Sequence, residues 1–191
     1  SIAHAEGTDS DVEAAETKEL IDAVVAAVPE DATLEPEVVR AECTQLAALS
    51  ESKLRTNIQA VAAQLEDADD GSAQHTYLHK KLELGTEMFK RRPAVARLLS
   101  MWQTEALEKH SISDTLREAG SADKLLKTML ASDDSLNEEL IKVEKQQDSS
   151  PDNEVLAWQI KVIRRCIGGS FGIPKRSTAL ELLDASIRAS G

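Results

Sequence analysis

The residues best suited to chemistry are two histidines and a glutamate, His75, His79 and Glu83, spaced four positions apart. On a helix, side chains at this spacing lie on one face. Imidazole nitrogens and carboxylate oxygens are accepted ligands of first-row divalent metals. The pattern therefore permits a divalent metal site, in a metal-binding protein or a metal-dependent enzyme. The apolar residues of the same segment fall on its other side, which favours the alternative of three solvent-facing polar residues.

Motifs for other catalytic chemistry are weak in the sequence. It contains no Gly-Lys-Ser/Thr and no Cys-x-x-Cys, and its match to Gly-x-Ser-x-Gly, residues 168–172, follows a predicted helix and not the strand that a nucleophile elbow requires. The glycine-rich segment 168–174 follows a predicted helix, and glycine there is typical of a left-handed helix C-terminal cap. Cys43 and Cys166 are predicted to be buried thiols, with one long-range disulfide as the alternative. The sequence thus predicts no catalytic residue and no cofactor other than the divalent metal considered above.

Two features are candidates for contact with a protein partner. Lys90, Arg91 and Arg92 form a basic run at the end of the predicted fourth helix, where the helix dipole also favours cations. Phe171 lies in the glycine-rich segment, and we expect it either to fold back onto the core or to project as a docking handle. These four residues are the predicted protein interface.

Acidic residues are concentrated in the first third of the chain. Residues 1–70 hold 17 Asp or Glu against 4 Lys or Arg, whereas residues 71–191 hold 17 against 18, and the formal net charge of all 191 residues is -12. An acidic surface repels nucleic-acid phosphates and acidic lipids. We therefore expect a protein partner with a basic surface facing residues 10–70, and we do not expect nucleic acid as a ligand.

The elements that carry these residues are predicted to be helices throughout. Ala and Leu are abundant, apolar residues recur at spacings of three and four, and no segment alternates with period two. Capping boxes begin at Ser10 and Ser135 and predict helix starts there. The sequence predicts an all-α fold without a sheet, either a multi-helix bundle or irregular stacked helical hairpins, with about nine or ten helices. These include a short helix at 114–119 and a last helix at 178–189.

An acidic turn at 67–71 is the predicted boundary within the chain. Residues 1–9 are predicted to be a loose acidic leader and 10–70 an acidic three-helix segment. Residues 71–191 are predicted to form a C-terminal helical segment that packs with 10–70 as one domain. The longest stretch without Asp, Glu, Lys or Arg has ten residues, whereas a membrane-spanning helix needs about 20 apolar residues. No transmembrane segment is predicted, although peripheral association with a membrane complex stays open.

These observations favour a function by contact over a function by chemistry. The leading hypothesis is a non-catalytic helical subunit or adaptor that works by protein–protein contact within a larger assembly. One alternative is an extrinsic lumenal helical-bundle subunit of a photosynthetic membrane complex. A second is the metal-binding protein or metal-dependent enzyme that uses the His-x3-His-x3-Glu face. The compartment stays open between the cytoplasm and an organelle lumen reached after removal of a targeting peptide.

Overall fold

A computed structural model describes residues 2–109, 118–171 and 187. Within these ranges the chain forms eight α-helices, one 3-10 turn at Leu46–Ala48 and no strand. The helices are α1 (Ile2–Ala26), α2 (Pro36–Gln45), α3 (Glu51–Asp67), α4 (Ala73–Lys90), α5 (Pro93–Lys109), α6 (Ala122–Leu130), α7 (Asp133–Ser149) and α8 (Glu154–Cys166). The all-α prediction is confirmed. The helices expected at 114–119 and 178–189 lie largely outside the described residues. Among the helices of the described part, none has the length and apolarity to span a membrane.

Side-chain caps begin most of these helices. Serine is the N-cap residue of four helices, and its hydroxyl oxygen accepts a hydrogen bond from the backbone N–H three residues later. These serines are Ser50 for α3, Ser72 for α4, Ser121 for α6 and Ser132 for α7. The capping boxes predicted at Ser10 and Ser135 are wrong as helix starts. Helix α1 begins at Ile2, and residues 2–9 contain no proline that would interrupt its backbone hydrogen bonding. Ser135 lies inside the first turn of α7, where its own N–H donates to the Ser132 hydroxyl at 3.2 Å.

The contacts of the chain divide it into two compact units. Unit 1 is Ser1–Val95 and unit 2 is Ala96–Gly191, so the division falls within α5 and not at the acidic turn 67–71. The reason is that α4, which follows the turn, packs against α1 and α3, which precede it. The structure also places residues 2–9 in α1 instead of in a loose leader. The packing of the whole of 71–191 with 10–70 as one domain stays a prediction.

Unit 1 is built on α4, which packs against α3 on one side and α1 on the other, while α2 packs on α1. Its core consists of buried apolar side chains from all four helices, namely Val24, Val39, Cys43, Val61, Tyr77, Leu78 and Leu84. A close helix contact lies at Gly85. A Cβ atom there would be 2.9 Å from Cγ1 of Ile58 on α3, so the absence of a side chain lets α3 and α4 approach closely.

Unit 2 contains a helical hairpin, because α7 and α8 are joined by a short loop and pack against each other, and α6 contacts α8. The side chains between these helices are apolar and buried, among them Leu125, Met129, Leu136, Val143, Trp158 and Val162. Trp102 of α5 is also fully buried. After α8, Gly168 and Gly169 adopt positive φ values, which confirms the left-handed cap predicted for this segment.

Candidate functional site

The structure does not assemble the predicted metal ligands into a site. His75 lies in the first turn of α4, and its Nε2 is 3.2 Å from Oδ1 of Asp70. His79 is exposed, and Glu83 forms an ion pair with Lys80 at 3.5 Å. Within the described ranges, no group of three His, Cys, Asp or Glu side chains is placed to hold a metal ion. The metal site therefore stays a prediction without an assembled ligand set.

Two residues of the predicted basic interface bind other parts of unit 1. The Arg91 guanidinium donates to a carboxylate oxygen of Glu16 on α1 at 2.5 Å, and its side chain is only 26% exposed. Arg92, 20% exposed, donates to the backbone carbonyls of Leu46 and Ala47 at 3.1 and 3.2 Å. Both arginines thus tie α1 and the 3-10 turn to the end of α4. Lys90 is the exposed member of the run.

The expectation that Phe171 projects as a docking handle is wrong, because its side chain is fully buried. The two left-handed glycines that follow α8 redirect the chain, and Phe171 itself has a φ of 52°. Its carbonyl oxygen accepts a hydrogen bond of 2.8 Å from Nε of Arg165 in the last turn of α8. Phe171 therefore contributes to packing, which is the other outcome that the sequence allowed.

The cysteines are free thiols and both are buried, so the disulfide alternative is wrong. Burial raises the pKa of the Cys43 thiol, and the nearby Lys81 ammonium offsets only part of this effect. Burial likewise raises the pKa of Tyr77. Since nucleophilic attack requires the thiolate, this environment suits Cys43 to packing and not to catalysis.

A surface that sequence reasoning missed lies at the connection between α1 and α2. We call residues 30–38 the acidic corner. The side chains of Leu34 and Val38, four positions apart, are 40% and 47% exposed there, so this surface presents two large apolar side chains. Around them are four exposed carboxylates that form no ion pair with any described residue, those of Glu30, Asp31, Glu35 and Glu37.

Of the two adjacent valines of α2, Val38 and Val39, only Val39 is buried. One signal could have separated them. Pro36 begins the helix, and the first turn of a surface helix exposes most of its side chains. Val39 and Cys43, four positions apart, then form one buried stripe, with Val38 outside it.

A second region that sequence reasoning missed is a cavity of about 440 Å³ in unit 2, between α6 and the α7–α8 hairpin. Its volume falls in the range of small-ligand pockets, roughly 300–1,000 Å³. Three separate helices contribute to it, and the spacing within each helix predicts only a buried stripe. The cavity arises from how those stripes pack, which no local pattern encodes.

Comparisons with known proteins add no functional information. The chain matches no protein-family model, and neither a curated protein nor a solved structure is significantly similar to it. Only the sequence and the structure of the described residues therefore bear on its function.

Proposed function

We propose that this protein is a non-catalytic binding module that works by protein–protein contact, and that its acidic corner receives a basic, amphipathic segment of the partner. The observation that carries the proposal is the exposure of Leu34 and Val38 among carboxylates that form no ion pair within 4.0 Å in the described part of the chain. Apolar residues framed by one sign of charge are suited to a helix that presents apolar and cationic side chains together.

The energetics favour both parts of this surface. Complete burial of a Val or Leu side chain contributes about 1.5–3 kcal/mol relative to exposure. Roughly half of each of these two side chains is still available for burial by a partner. The surrounding carboxylates increase the association rate of a cationic partner and discriminate against acidic ones. Apolar contact therefore contributes affinity, and charge contributes selectivity.

The charge of unit 1 supports a basic partner. It holds 19 Asp or Glu against 9 Lys or Arg. Several of those basic residues are already engaged inside the unit, since Arg40 donates to Asp22 at 2.7 Å and Arg91 and Arg92 make the contacts given above. Arg40 still interacts electrostatically with Glu37, but none of the four carboxylates of the acidic corner forms an ion pair within 4.0 Å with a described residue.

The proposal is tested with a fluorescent synthetic peptide of lysine and leucine that forms an amphipathic helix, titrated with the whole protein at about 0.15 M salt. Fluorescence anisotropy gives the dissociation constant. We expect the double substitutions Glu35→Lys/Glu37→Lys and Leu34→Ser/Val38→Ser each to weaken binding by about tenfold or more. The serine variant leaves the net charge unchanged, so its effect isolates the apolar contact.

The matched control is Asp148→Lys/Asp152→Lys, which makes the same charge change at exposed positions in unit 2. It should retain the affinity of the unmodified protein within about twofold. If the control loses as much affinity as the Glu35/Glu37 variant, binding is general charge attraction and the proposal is wrong. A scrambled peptide of the same composition that binds equally well would overturn it too.

A further inference from the structure

The cavity in unit 2 has an apolar floor and a charged mouth. The floor consists of six side chains, each at most 6% exposed, from α6, α7 and α8, namely Leu125, Leu136, Val143, Trp158, Val162 and Ile163. These six side chains offer water few of the two to four polar partners that it needs. The floor of the cavity is therefore suited to an apolar chain or ring.

The mouth of the cavity carries more positive than negative charge. Lys124 and Lys127 stand on one side, three positions apart on α6, and both are exposed. Glu139 of α7 is the acidic residue among those that line the cavity. Lys124 lies 3.8 Å from Glu118 in an exposed pair. Lys127 has no ion pair within 4.0 Å among the residues that the structure describes, so its ammonium remains free to bind an anion.

Two polar uncharged side chains, Thr128 and Gln159, line the cavity and are half-buried. The Thr128 hydroxyl already donates to the backbone carbonyl of Lys124 at 2.9 Å. The side-chain amide of Gln159 can donate to a carboxylate oxygen. Together with the exposed ammonium of Lys127, it suits the mouth to a negatively charged head group.

We propose that unit 2 binds a single-chain amphiphile with a carboxylate head group, such as a fatty acid. Its hydrocarbon chain occupies the cavity against Trp158, and its carboxylate lies at Lys127. The apolar floor selects for the chain, and the excess of lysine over glutamate at the mouth selects for the anionic head. This binding site lies within unit 2 and involves none of the residues of the acidic corner.

The tryptophans make this proposal measurable. The chain contains two, Trp102 and Trp158, and Trp158 is the one that lines the cavity. In a Trp102→Phe variant, fluorescence reports on the cavity alone. We expect dodecanoate, below its critical micelle concentration, to change Trp158 emission in a saturable way with one molecule per chain. Dodecyltrimethylammonium, with the same chain and the opposite charge, should bind at least about tenfold more weakly. Calorimetric titration of the unmodified protein gives the same comparison if Trp102→Phe does not fold.

Three substitutions locate the ligand. Lys127→Glu should weaken dodecanoate binding about tenfold. Lys142→Glu makes the same charge change at an exposed position of α7 outside the cavity and should leave binding unchanged. Thr128→Phe fills the cavity from its rim and should abolish saturable binding while circular dichroism stays that of the unmodified protein. Equal binding of the two amphiphiles, equal effects of the two lysine substitutions, or no saturable change with either amphiphile would overturn the proposal.

Discussion

The two units differ in where they place their polar chemistry. In unit 1, arginines turn inward to carboxylates and backbone carbonyls while unpaired carboxylates stay outside. Unit 2 holds 15 Asp or Glu against 13 Lys or Arg, which is close to balance, and its distinctive feature is a cavity between helices with an apolar floor. The two units thus show two kinds of candidate binding surface in a helical protein. Unit 1 has unpaired charges on its outside, and unit 2 has a volume with an apolar floor between its helices.

Each unit also carries its own chemical reporters. Unit 1 contains the single tyrosine and Cys43, whereas unit 2 contains both tryptophans and Cys166. Both thiols are buried, so their reaction with a thiol reagent reports on opening of the unit that contains them. The opening of each unit can therefore be measured separately in the intact chain, at Cys43 for unit 1 and at Cys166 for unit 2.

The largest expected effect is the loss of a core side chain from unit 1. Leu84 is fully buried in α4, and truncation of such a leucine to alanine costs about 2–5 kcal/mol. Leu84→Ala should therefore accelerate the labelling of Cys43 under native conditions. The measurement is the rate of thiol modification, assigned to each cysteine by mass spectrometry of peptides.

The matched substitution in unit 2 is Met129→Ala, which also removes a fully buried side chain and should accelerate the labelling of Cys166. If Leu84→Ala left the rate at Cys43 unchanged while that at Cys166 increased, the assignment of Leu84 and Cys43 to one core would be wrong.

Substitution of either of two glycines should change the free energy of unfolding by a smaller amount, about 1 kcal/mol. Gly85 allows a close contact between helices, whereas Gly168 adopts a left-handed backbone conformation. At Gly85, alanine would gain roughly 1 kcal/mol in helix propensity, but overpacking against Ile58 costs about 1–3 kcal/mol, so Gly85→Ala should lower the stability of unit 1. At Gly168 a Cβ atom would meet no other atom within 4 Å, but the backbone there has a φ of +86°. Gly168→Ala should therefore lower stability through backbone strain alone.

Second substitutions separate these two causes. Ile58→Ala removes the atom that Gly85→Ala would meet, so the loss on Gly85→Ala should be smaller in that background. Gly168→Asn should cost less than Gly168→Ala, because asparagine tolerates the left-handed conformation better. Chemical denaturation of the four single variants and the double variant provides the free energies of unfolding. Additive losses at Gly85 and Ile58 would show that the close contact is not the cause.

The fold class was predictable because it depends on local signals. Apolar spacing and the scarcity of period-two segments predict helices, and the starts of α2, α3 and α6 are marked by Pro36, Ser50 and Ser121. The predicted helix starts were wrong where more than one residue could begin the helix. Ser10 has the pattern of a cap, yet helical hydrogen bonding continues through it, and Ser132 takes the position expected for Ser135.

The candidate sites were less predictable because they depend on contacts between distant residues. Arg91 and Arg92 form a basic run in the sequence, but Glu16 and the carbonyls of Leu46 and Ala47 bind them in the fold. The burial of Phe171 depends on the two glycines that precede it, so the segment suggested both outcomes and could not choose between them. The cavity of unit 2 has no sequence motif, since three helices each contribute an ordinary buried stripe.

The smallest expected effect is an alkaline loss of stability in unit 1. Burial raises the pKa of Cys43 above its ordinary value, so the folded protein retains a proton that the unfolded chain releases. The stability linked to this thiol is complete below the unfolded pKa, about 8.5. It is lost as the pH rises from there through the higher pKa of the folded state, with a slope of at most about 1.4 kcal/mol per pH unit.

Denaturation between about pH 8 and pH 10 measures that slope, and Cys43→Ala should make it shallower even though the truncation lowers stability at every pH. Tyr77→Phe is the companion variant, because burial also raises the pKa of this phenol, whose ordinary value is about 10. Its slope should match that of the unmodified protein up to about pH 9.5 and become shallower only above it. A decline over this range that Cys43→Ala leaves unchanged would mean that other groups cause it. In that event the alkaline sensitivity would not distinguish the core of unit 1 from that of unit 2.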